Sequence, residues 1–319
     1  MANFFILLHA IFRAVRKKPF FISHLITGSC NCQCLTCKWR NSIPDRDLSA
    51  IIDFYRRARD LGFYATTLWG GEPLLRTDIL EIVREIKSLG FKIGLITNGY
   101  FLNEKIAVTD YLDFLIISID ATGKRLDEIR KVDGLYERIL EGISNQRCKR
   151  LIINTVVSDF SYPDCLRVAD LARAYRCPIF FEYPTGKGLI SPETARNAFA
   201  KILKLKEMGY PVGNSKSYLE AAHRGKFEYS CRAHDVAITI DNAGFLKNCI
   251  NQKVIGNVYE EDLAEVLSRP DYQNLKKMSR HCHRCTDSGA FETAKTARLE
   301  LDVLINSLRL FCNKISVRK

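Results

Sequence analysis

The sequence predicts an α/β fold in which six short strands alternate with helices, followed by a smaller unit of different composition. Between residues 20 and 210, short runs rich in β-branched and aromatic residues alternate with longer runs of helical periodicity. This is the pattern of successive parallel βα units. After about residue 225 the alternation stops and cysteines return. Six βα units form either a partial barrel or an open doubly wound sheet, and in both folds the functional site lies at the carboxyl ends of the strands.

The predicted elements follow one another in a regular order along the chain. Strand candidates begin at residues 20, 65, 91, 113, 150 and 177. The helical segments that follow them are Asp47 to Leu61, Arg76 to Leu89, Asn103 to Thr109, Gly134 to Ser144, Pro163 to Tyr175 and Pro192 to Met208. We therefore predict a core of residues 19–225, a second unit of residues 226–290, and amphipathic helices at residues 1–18 and 291–319.

Both terminal segments are basic as well as amphipathic. Residues 1–18 and 303–319 contain no acidic residue and hold two thirds of the net charge of +12, on Arg13, Arg16, Lys17, Lys18, Arg309, Lys314, Arg318 and Lys319. Basic amphipathic helices bind anionic membrane surfaces. The alternative is that both helices pack on the protein and leave their charges in water.

The cysteines and the N-terminal sequence indicate a reducing compartment. The twelve cysteines cluster instead of spreading as a disulfide framework would, which is typical of metal binding in the cytoplasm. The first apolar stretch precedes the basic residues, the reverse of a secretory signal, and no run of about 18 apolar residues could span a membrane. We expect a cytoplasmic protein, peripheral on the inner face of the membrane if its tails bind there. Because the surplus charge is terminal, no nucleic acid is expected as a partner.

The loop after the first predicted strand carries the most specific chemical signal. Cys30, Cys34 and Cys37 have the spacing Cys-x3-Cys-x2-Cys. Three thiolates on a tight loop can hold three irons of a 4Fe-4S cluster and leave the fourth iron free to bind a ligand. Cys32, in the same loop, is the surplus thiol, and we interpret it as a non-ligand. The four thiols could instead close around zinc, as in a zinc-binding adaptor protein.

This spacing resembles the defining motif of the radical S-adenosylmethionine (SAM) superfamily, and the next loop strengthens the resemblance. Strand two runs into Gly70, Gly71, Glu72 and Pro73, which match the family's GGEP motif that binds the methionine amino group. The resemblance implies a partial (β/α)6 TIM-like barrel, S-adenosyl-L-methionine bound at the free iron, and a 5'-deoxyadenosyl radical that abstracts hydrogen from a substrate. The chain departs from the family at Thr36, where an aromatic residue usually precedes the third cysteine.

Polar residues also stand at the carboxyl ends of the later strands, where an apolar core would not place them. They are Asn98, Ser118, Asp120 and Asn154, and the resemblance implies that they contact the ribose hydroxyls. In the same family an arginine after the fourth strand faces the methionine carboxylate. By match this role falls to Arg130, and arginine suits carboxylate binding; the alternative is an ordinary position on a surface helix.

A second set of cysteines lies in the C-terminal unit. Cys231 and Cys249 stand at either end of a predicted hairpin, and Cys282 and Cys285 form a Cys-x2-Cys turn after a helix. Four thiols close one site, and the arrangement resembles the auxiliary-cluster domains called SPASM and twitch. One auxiliary 4Fe-4S cluster is favoured, because no further cysteine follows before Cys312. Zinc is the alternative, and a histidine or Cys312 could replace one ligand.

The resemblance also implies an electron donor such as ferredoxin or flavodoxin, and an auxiliary cluster that relays electrons. The substrate is unknown: the basic tails suggest a membrane lipid or isoprenoid, and the alternatives are a sugar, an aminocyclitol or a peptide. The 29 residues before Cys30 leave no room for a fused leader-peptide-binding domain, so none is expected. Candidate bases for substrate deprotonation are Glu182, His234 and Asp235, and a solvated or capping role is the alternative for each.

Overall fold

The computed structural model describes residues 18–306, except positions 186, 187, 284, 297, 299 and 304. Almost all of the predicted helix at residues 1–18, the end of the predicted helix at 291–319, and Cys312 therefore lie outside the described residues. The described part contains one nine-stranded sheet. Its strands are β1 Phe21–Thr27, β2 Ala65–Gly70, β3 Lys92–Thr97, β4 Phe114–Ser118, β5 Leu151–Val156, β6 Ile179–Glu182, β7 Ala237–Ile240, β8 Phe245–Lys247 and β9 Val254–Asn257.

The six predicted strands are confirmed, and each is followed by helix or turn as a βα unit requires. The named α-helices in the described residues are α1 Leu48–Asp60, α2 Ile79–Ser88, α3 Lys124–Arg130, α4 Leu135–Asn145, α5 Cys165–Ala174, α6 Pro192–Glu207, α7 Lys216–Arg224, α8 Ala233–Val236, α9 Leu263–Ser268, α10 Pro270–Ser279 and α11 Ser288–Thr296. Residues 301–303 and 305–306 are also helical, whereas 298 and 300 are not, so the helix predicted at 291–319 is interrupted. Local chemistry sets several boundaries. The Asp47 carboxylate, for example, accepts a hydrogen bond from the Ala50 N–H at 2.8 Å and caps α1.

One predicted helix was wrong. The segment Asn103 to Thr109 forms turns followed by a 3₁₀ helix over Ile106–Tyr111. The helical pattern in this connection is confined to residues 103–109, and such short helical segments commonly adopt this tighter helix. The β-branched Val108 and Thr109 also favour α-helix only weakly.

The sheet order is β6-β5-β4-β3-β2-β1-β7-β8-β9, and β1 to β6 are parallel. On β1 the alternate residues Ile22, His24 and Ile26 are fully buried, whereas Phe21 and Ser23 are partly exposed. The same alternation on β4 and β5 leaves one face partly exposed, because side chains alternate between the two faces of a strand. This face lines the inside of a partial barrel, so the predicted fold class is confirmed.

The C-terminal strands extend the barrel sheet. β7 pairs in parallel with β1, and β7, β8 and β9 follow one another as antiparallel neighbours. The predicted hairpin is therefore present, and the sheet runs on across the domain boundary predicted at 225/226. Gly244 makes the hairpin turn with φ +90°, and a Cβ there would overlap the ring of Tyr259. The Tyr259 hydroxyl in turn lies 2.9 Å from Nε2 of buried His24 on β1.

None of the described helices has the length and apolar character needed to cross a bilayer.

Candidate functional site

The cysteine loop lies between β1 and α1, at the carboxyl end of β1. Cys30 and Cys34 are partly exposed, Cys37 is exposed, and Cys32 is buried with 2% of its surface accessible. Backbone bonds fix the loop against the end of α3: the Gln33 N–H donates to the Arg130 carbonyl at 3.0 Å. The loop therefore presents Cys30, Cys34 and Cys37 outward and turns Cys32 into the core.

The pKa values of the thiols in this loop also distinguish Cys32 from Cys30 and Cys34. A hydrogen bond from the Cys32 thiol, assisted by the Arg130 charge, lowers the pKa of Cys34 to about 6. The Cys32 thiol likewise lowers the pKa of Cys30, and its own pKa is raised because it donates to both neighbours. Thiolates are the form that binds iron, so Cys30 and Cys34 are suited to be ligands and Cys32 is kept protonated.

Gly70, the last residue of β2, and Gly71 lie directly on the cysteine loop. The Gly71 N–H donates to the Thr27 carbonyl and the Glu72 N–H to the Ser29 carbonyl, both at 2.8 Å. A Cβ on Gly71 would overlap the Ser29 carbonyl oxygen, and Gly70 adopts φ +137°. Only glycine allows this close approach of two backbones.

Glu72 is fully buried, and its hydrogen bonds connect the loop after β2 to the end of β3. Its carboxylate accepts hydrogen bonds from the Leu74 N–H at 3.0 Å, the Thr97 hydroxyl at 2.6 Å and the Asn98 N–H at 2.7 Å. Pro73 begins a short 3₁₀ turn, Pro73–Leu75. Both carboxylate oxygens of Glu72 thus accept hydrogen bonds from the protein. A ligand at this motif would therefore contact the backbone of the motif.

Arg130 brings a buried positive charge to the cysteine loop. Its guanidinium lies 2.7 Å from an Asp120 carboxylate oxygen, whose partner oxygen accepts from the Val156 N–H at 2.9 Å. The Arg130 Nε is buried and has no hydrogen-bond partner among the residues that the structure describes. The Coulomb field of Arg130 also reaches Cys34. An unpaired buried donor beside the thiols fits an incoming carboxylate.

Of the other predicted pocket residues, Asn98 contacts the cysteine loop directly. Its amide donates to the Asn31 side chain at 2.8 Å and lies 3.2 Å from the Cys32 sulfur. Ser118 and Asn154 are cross-strand neighbours on β4 and β5, and both side chains are partly exposed on the inner face. The structure thus places these residues on one side of the barrel, and their roles toward a ligand stay predictions.

Two tryptophans, Trp39 and Trp69, form a pair at the mouth of the barrel that the sequence did not predict. The Trp69 indole N–H donates to the Ser23 hydroxyl at 2.9 Å, which fixes its ring on the inner face. Trp39, 44% exposed, packs edge-on against Trp69 with ring centroids 4.9 Å apart. Lys38 lies 5.3 Å from the centre of the Trp39 ring. The two positions are 30 residues apart, so no local pattern connects them.

The second set of cysteines is brought together at the hairpin. Burial raises the pKa of Cys231 to about 12, assisted by the Coulomb fields of Cys285, Cys249 and Cys282. The four thiols therefore lie within range of one another's Coulomb fields, and thiols that resist ionisation without a cation are compatible with a shared metal cluster. Among residues 18–306 as described, no group of three or more His, Cys, Asp or Glu side chains is arranged to hold a single metal ion.

The three candidate bases differ in their surroundings. Asp235 is buried and forms ion pairs with Lys276 at 3.3 Å and Arg280 at 3.5 Å, and the His234 Nε2 lies 3.3 Å from the Cys249 sulfur. Glu182 lies at the carboxyl end of β6 on the inner face, where burial and the neighbouring Asp287 raise its pKa to about 7. Catalysis by any of the three stays a prediction.

Family models match both parts of the chain. The model described as the radical SAM superfamily matches residues 25–160, and the model described as an iron-sulfur cluster-binding domain, SPASM, matches residues 231–286. These segments contain the first and the second set of cysteines, respectively.

Named relatives are similar over varying lengths. An AdoMet-dependent heme synthase of Methanosarcina barkeri is 31% identical over 60% of this chain and 58% of its own length. A probable GTP 3',8-cyclase of Saccharolobus solfataricus is 33% identical over 38% of this chain and 41% of its own length. A GTP 3',8-cyclase of Clostridium perfringens is 24% identical over 79% and 89%. The chain thus spans about half the length of the first two.

Two solved structures share the fold. Streptococcus suis SuiB bound to the precursor peptide SuiA superposes with a TM-score of 0.65 over 81% of this chain and 66% of SuiB, at 18% identity. Native anSMEcpe with bound AdoMet superposes with a TM-score of 0.62 over 92% of this chain and 97% of that protein, at 15% identity. At these identities the likeness shows the fold alone.

Proposed function

We propose that this chain, which belongs to the radical SAM superfamily and carries a C-terminal iron-sulfur cluster-binding domain, reductively cleaves SAM and abstracts hydrogen from a substrate. The cofactors of this family and domain are a SAM-binding 4Fe-4S cluster, SAM itself and an auxiliary iron-sulfur cluster. The first cluster, when bound, supplies the electron that converts SAM to methionine and a 5'-deoxyadenosyl radical.

The residues around the cysteine loop have separate tasks in this proposal. Cys30, Cys34 and Cys37 hold the cluster, and Cys32 stays in the core. The backbone of Gly70 and Gly71 receives the methionine amino group, and the unpaired Nε of Arg130 receives the carboxylate. Asn98, Ser118 and Asn154 provide polar contacts to the ribose, and Asp120, also predicted there, instead holds Arg130 in place through its buried carboxylate.

The observation that carries the proposal is the buried Nε of Arg130, which has no partner in the part of the chain that the structure describes and lies within the Coulomb field of Cys34. Burying an arginine nitrogen without a partner is costly, and a carboxylate ligand removes that cost. The test is anaerobic reconstitution with iron and sulfide, addition of dithionite and SAM, and an assay for 5'-deoxyadenosine. A zinc-binding adaptor, the non-enzymatic alternative, would give a colourless protein and no 5'-deoxyadenosine.

The auxiliary site is proposed to hold a second 4Fe-4S cluster on Cys231, Cys249, Cys282 and Cys285. Its role would be to relay electrons from the substrate side, while a ferredoxin or flavodoxin reduces the first cluster. Burial of Cys231 and its proximity to the other three thiols support this assignment, because a closed set of four ligands suits electron transfer better than substrate binding.

For the substrate we propose a membrane lipid or isoprenoid, met by a cytoplasmic protein at the inner face of the membrane. The support is the basic, amphipathic sequence of residues 1–18 and 303–319. A sugar, an aminocyclitol or a peptide is the alternative, and none of these requires a membrane surface.

Removing the two tails tests this substrate class. The full chain is expected to co-sediment with vesicles of anionic phospholipid, and a variant lacking residues 1–18 and 303–319 to bind at least about tenfold more weakly. Each basic residue at an anionic surface contributes about 1 kcal/mol, and the deletion removes eight of them. Phosphatidylcholine vesicles serve as the uncharged control. Equal co-sedimentation of the two proteins would remove the basis for a lipid substrate.

A further inference from the structure

The carboxyl end of β6 is fastened to the segment that follows Cys285. The Glu182 carboxylate accepts hydrogen bonds from both the hydroxyl and the backbone N–H of Ser288, the latter at 3.3 Å. Ser288 is the first residue of α11 and lies three positions after Cys285. A residue of the barrel wall therefore binds directly to the segment that leaves the auxiliary site.

Tyr218 on α7 forms a second connection at the same place. It is fully buried, its hydroxyl accepts from the Tyr183 N–H at 3.0 Å, and it donates to the Thr286 carbonyl at 3.0 Å. The Glu182 carboxylate is farther from this hydroxyl, at 3.4 Å. Because a hydroxyl has a single proton, the shorter bond to Thr286 is the main one. Tyr218 thus joins the end of β6 to the residue immediately after Cys285.

Apolar packing holds α11 against the same wall. The Phe291 ring, 2% exposed, lies 5.5 Å from the Tyr218 ring and 5.1 Å from the Tyr229 ring. The Glu292 carboxylate accepts from the Ser215 N–H at the start of α7 at 2.7 Å. The segment after Cys285 is thus attached to the barrel wall on the β6 side.

The other thiols of the auxiliary site are attached at the opposite end of the sheet. Cys231 precedes α8, which leads into β7, and Cys249 follows β8. Cys282 follows α10, which the Asp235 ion pairs hold to α8. β6 is one end of the sheet and β7 to β9 form the other. The four thiols are therefore attached to elements at both ends of the sheet.

We propose that the auxiliary site fastens the two ends of the barrel sheet together, with Glu182 and Tyr218 as the positioning residues that connect Cys285 to β6. Loading of the site then orders the β6 end, and with it one side of the barrel interior. The inference rests on the proposed assignment of an auxiliary cluster. The group at this site has a structural effect in addition to any electron relay, and Glu182 acts through Ser288.

Hydrogen–deuterium exchange on the full chain tests this coupling. The background is a Cys30→Ala/Cys34→Ala/Cys37→Ala variant, so that bound iron reports on the auxiliary site alone. Anaerobic loading with iron and sulfide is expected to slow exchange about tenfold in residues 179–183 and 286–292, because hydrogen bonds that open locally become protected. In Glu182→Ala the slowing is expected to persist in β7 and β8 and to be lost in residues 179–183.

Matched variants separate positioning from general destabilisation. Glu182→Gln keeps the acceptor for the Ser288 hydroxyl and loses only the longer bond from the Ser288 N–H, so it is expected to restore most of the slowing. Tyr218→Phe, which removes the bond to Thr286, is expected to behave like Glu182→Ala and serves as the second variant if that one does not fold. Glu104→Gln, an exposed carboxylate paired with Arg138, is the control and should match the background.

Two results would overturn the proposal. One is slowing of residues 179–183 on loading that is as large in Glu182→Ala and Tyr218→Phe as in the background. The other is that loading slows exchange only in the β7–β8 hairpin, both in the background protein and in all the variants. If the background binds no iron, the auxiliary-cluster assignment fails instead. In that case, faster exchange of residues 286–292 in iron-free Glu182→Ala than in iron-free Glu104→Gln still supports the fastening of this segment, and equal exchange contradicts it.

Discussion

Replacing Gly71 with alanine is expected to lower SAM cleavage by about 100-fold or more and to deplete the cluster at Cys30, Cys34 and Cys37. The new Cβ would overlap the Ser29 carbonyl oxygen, a backbone atom that cannot move aside alone. The neighbouring cysteine must therefore shift, and displacement of a catalytic group by about 1 Å commonly costs about 100-fold. The measurements are iron per chain and the initial rate of 5'-deoxyadenosine formation.

Gly209→Ala is the matched control for this substitution. Gly209 lies at the exposed end of α6 with φ +84°, and a methyl group at this position would meet no atom of the described residues within 4 Å. Its replacement is expected to cost about 1 kcal/mol of unfolding free energy through backbone strain and to leave iron content and rate unchanged. Gly71→Ala with normal iron content and a normal rate would show that the close contact of the two loops is not required.

The second large effect is expected from Cys34→Ala compared with Cys32→Ala. The reconstituted chain should hold about eight irons, four in each 4Fe-4S cluster. Cys34→Ala should reduce this to about four and abolish 5'-deoxyadenosine formation, because a cluster held by two thiolates is not retained. Cys32→Ala should retain about eight irons and most of the activity, since Cys32 is buried in the core.

This pair of variants also separates cluster binding from zinc binding. A zinc knuckle that used all four thiols would lose its metal in both variants. Equal loss of metal in Cys32→Ala and Cys34→Ala would therefore contradict the assignment of Cys32 as a non-ligand. The visible absorption spectrum before and after reduction distinguishes iron-sulfur clusters from zinc.

Much of the barrel could be predicted because its signals are local. The apolar strands, the helical periodicity between them and the GGEP sequence each lie within a dozen residues. The exception is Asn103 to Thr109. Its helical pattern is short, and the segment forms turns and a 3₁₀ helix in place of the predicted α-helix. The pattern of β7 indicated a strand and a hairpin, but its pairing with β1 joins residues more than 200 positions apart.

The site could be predicted only in part, for the same physical reason. The cysteines and glycines have fixed spacings, whereas the contacts that give them their environment are long-range. Glu72 was expected at a ligand, and its carboxylate instead accepts from Thr97 and Asn98 at the end of the next strand. Glu182 was recognised as a polar residue at a strand end, but its partner Ser288 is 106 positions away. No periodicity or motif connects such pairs.

Reductive cleavage of SAM is best measured in one assay on the anaerobically reconstituted full chain. With dithionite and SAM, we expect a brown protein that forms 5'-deoxyadenosine and methionine in equal amounts, and a Cys34→Ala protein that forms neither. A colourless preparation that contains zinc, and that leaves SAM unchanged under the same strong reductant, would contradict the proposed function.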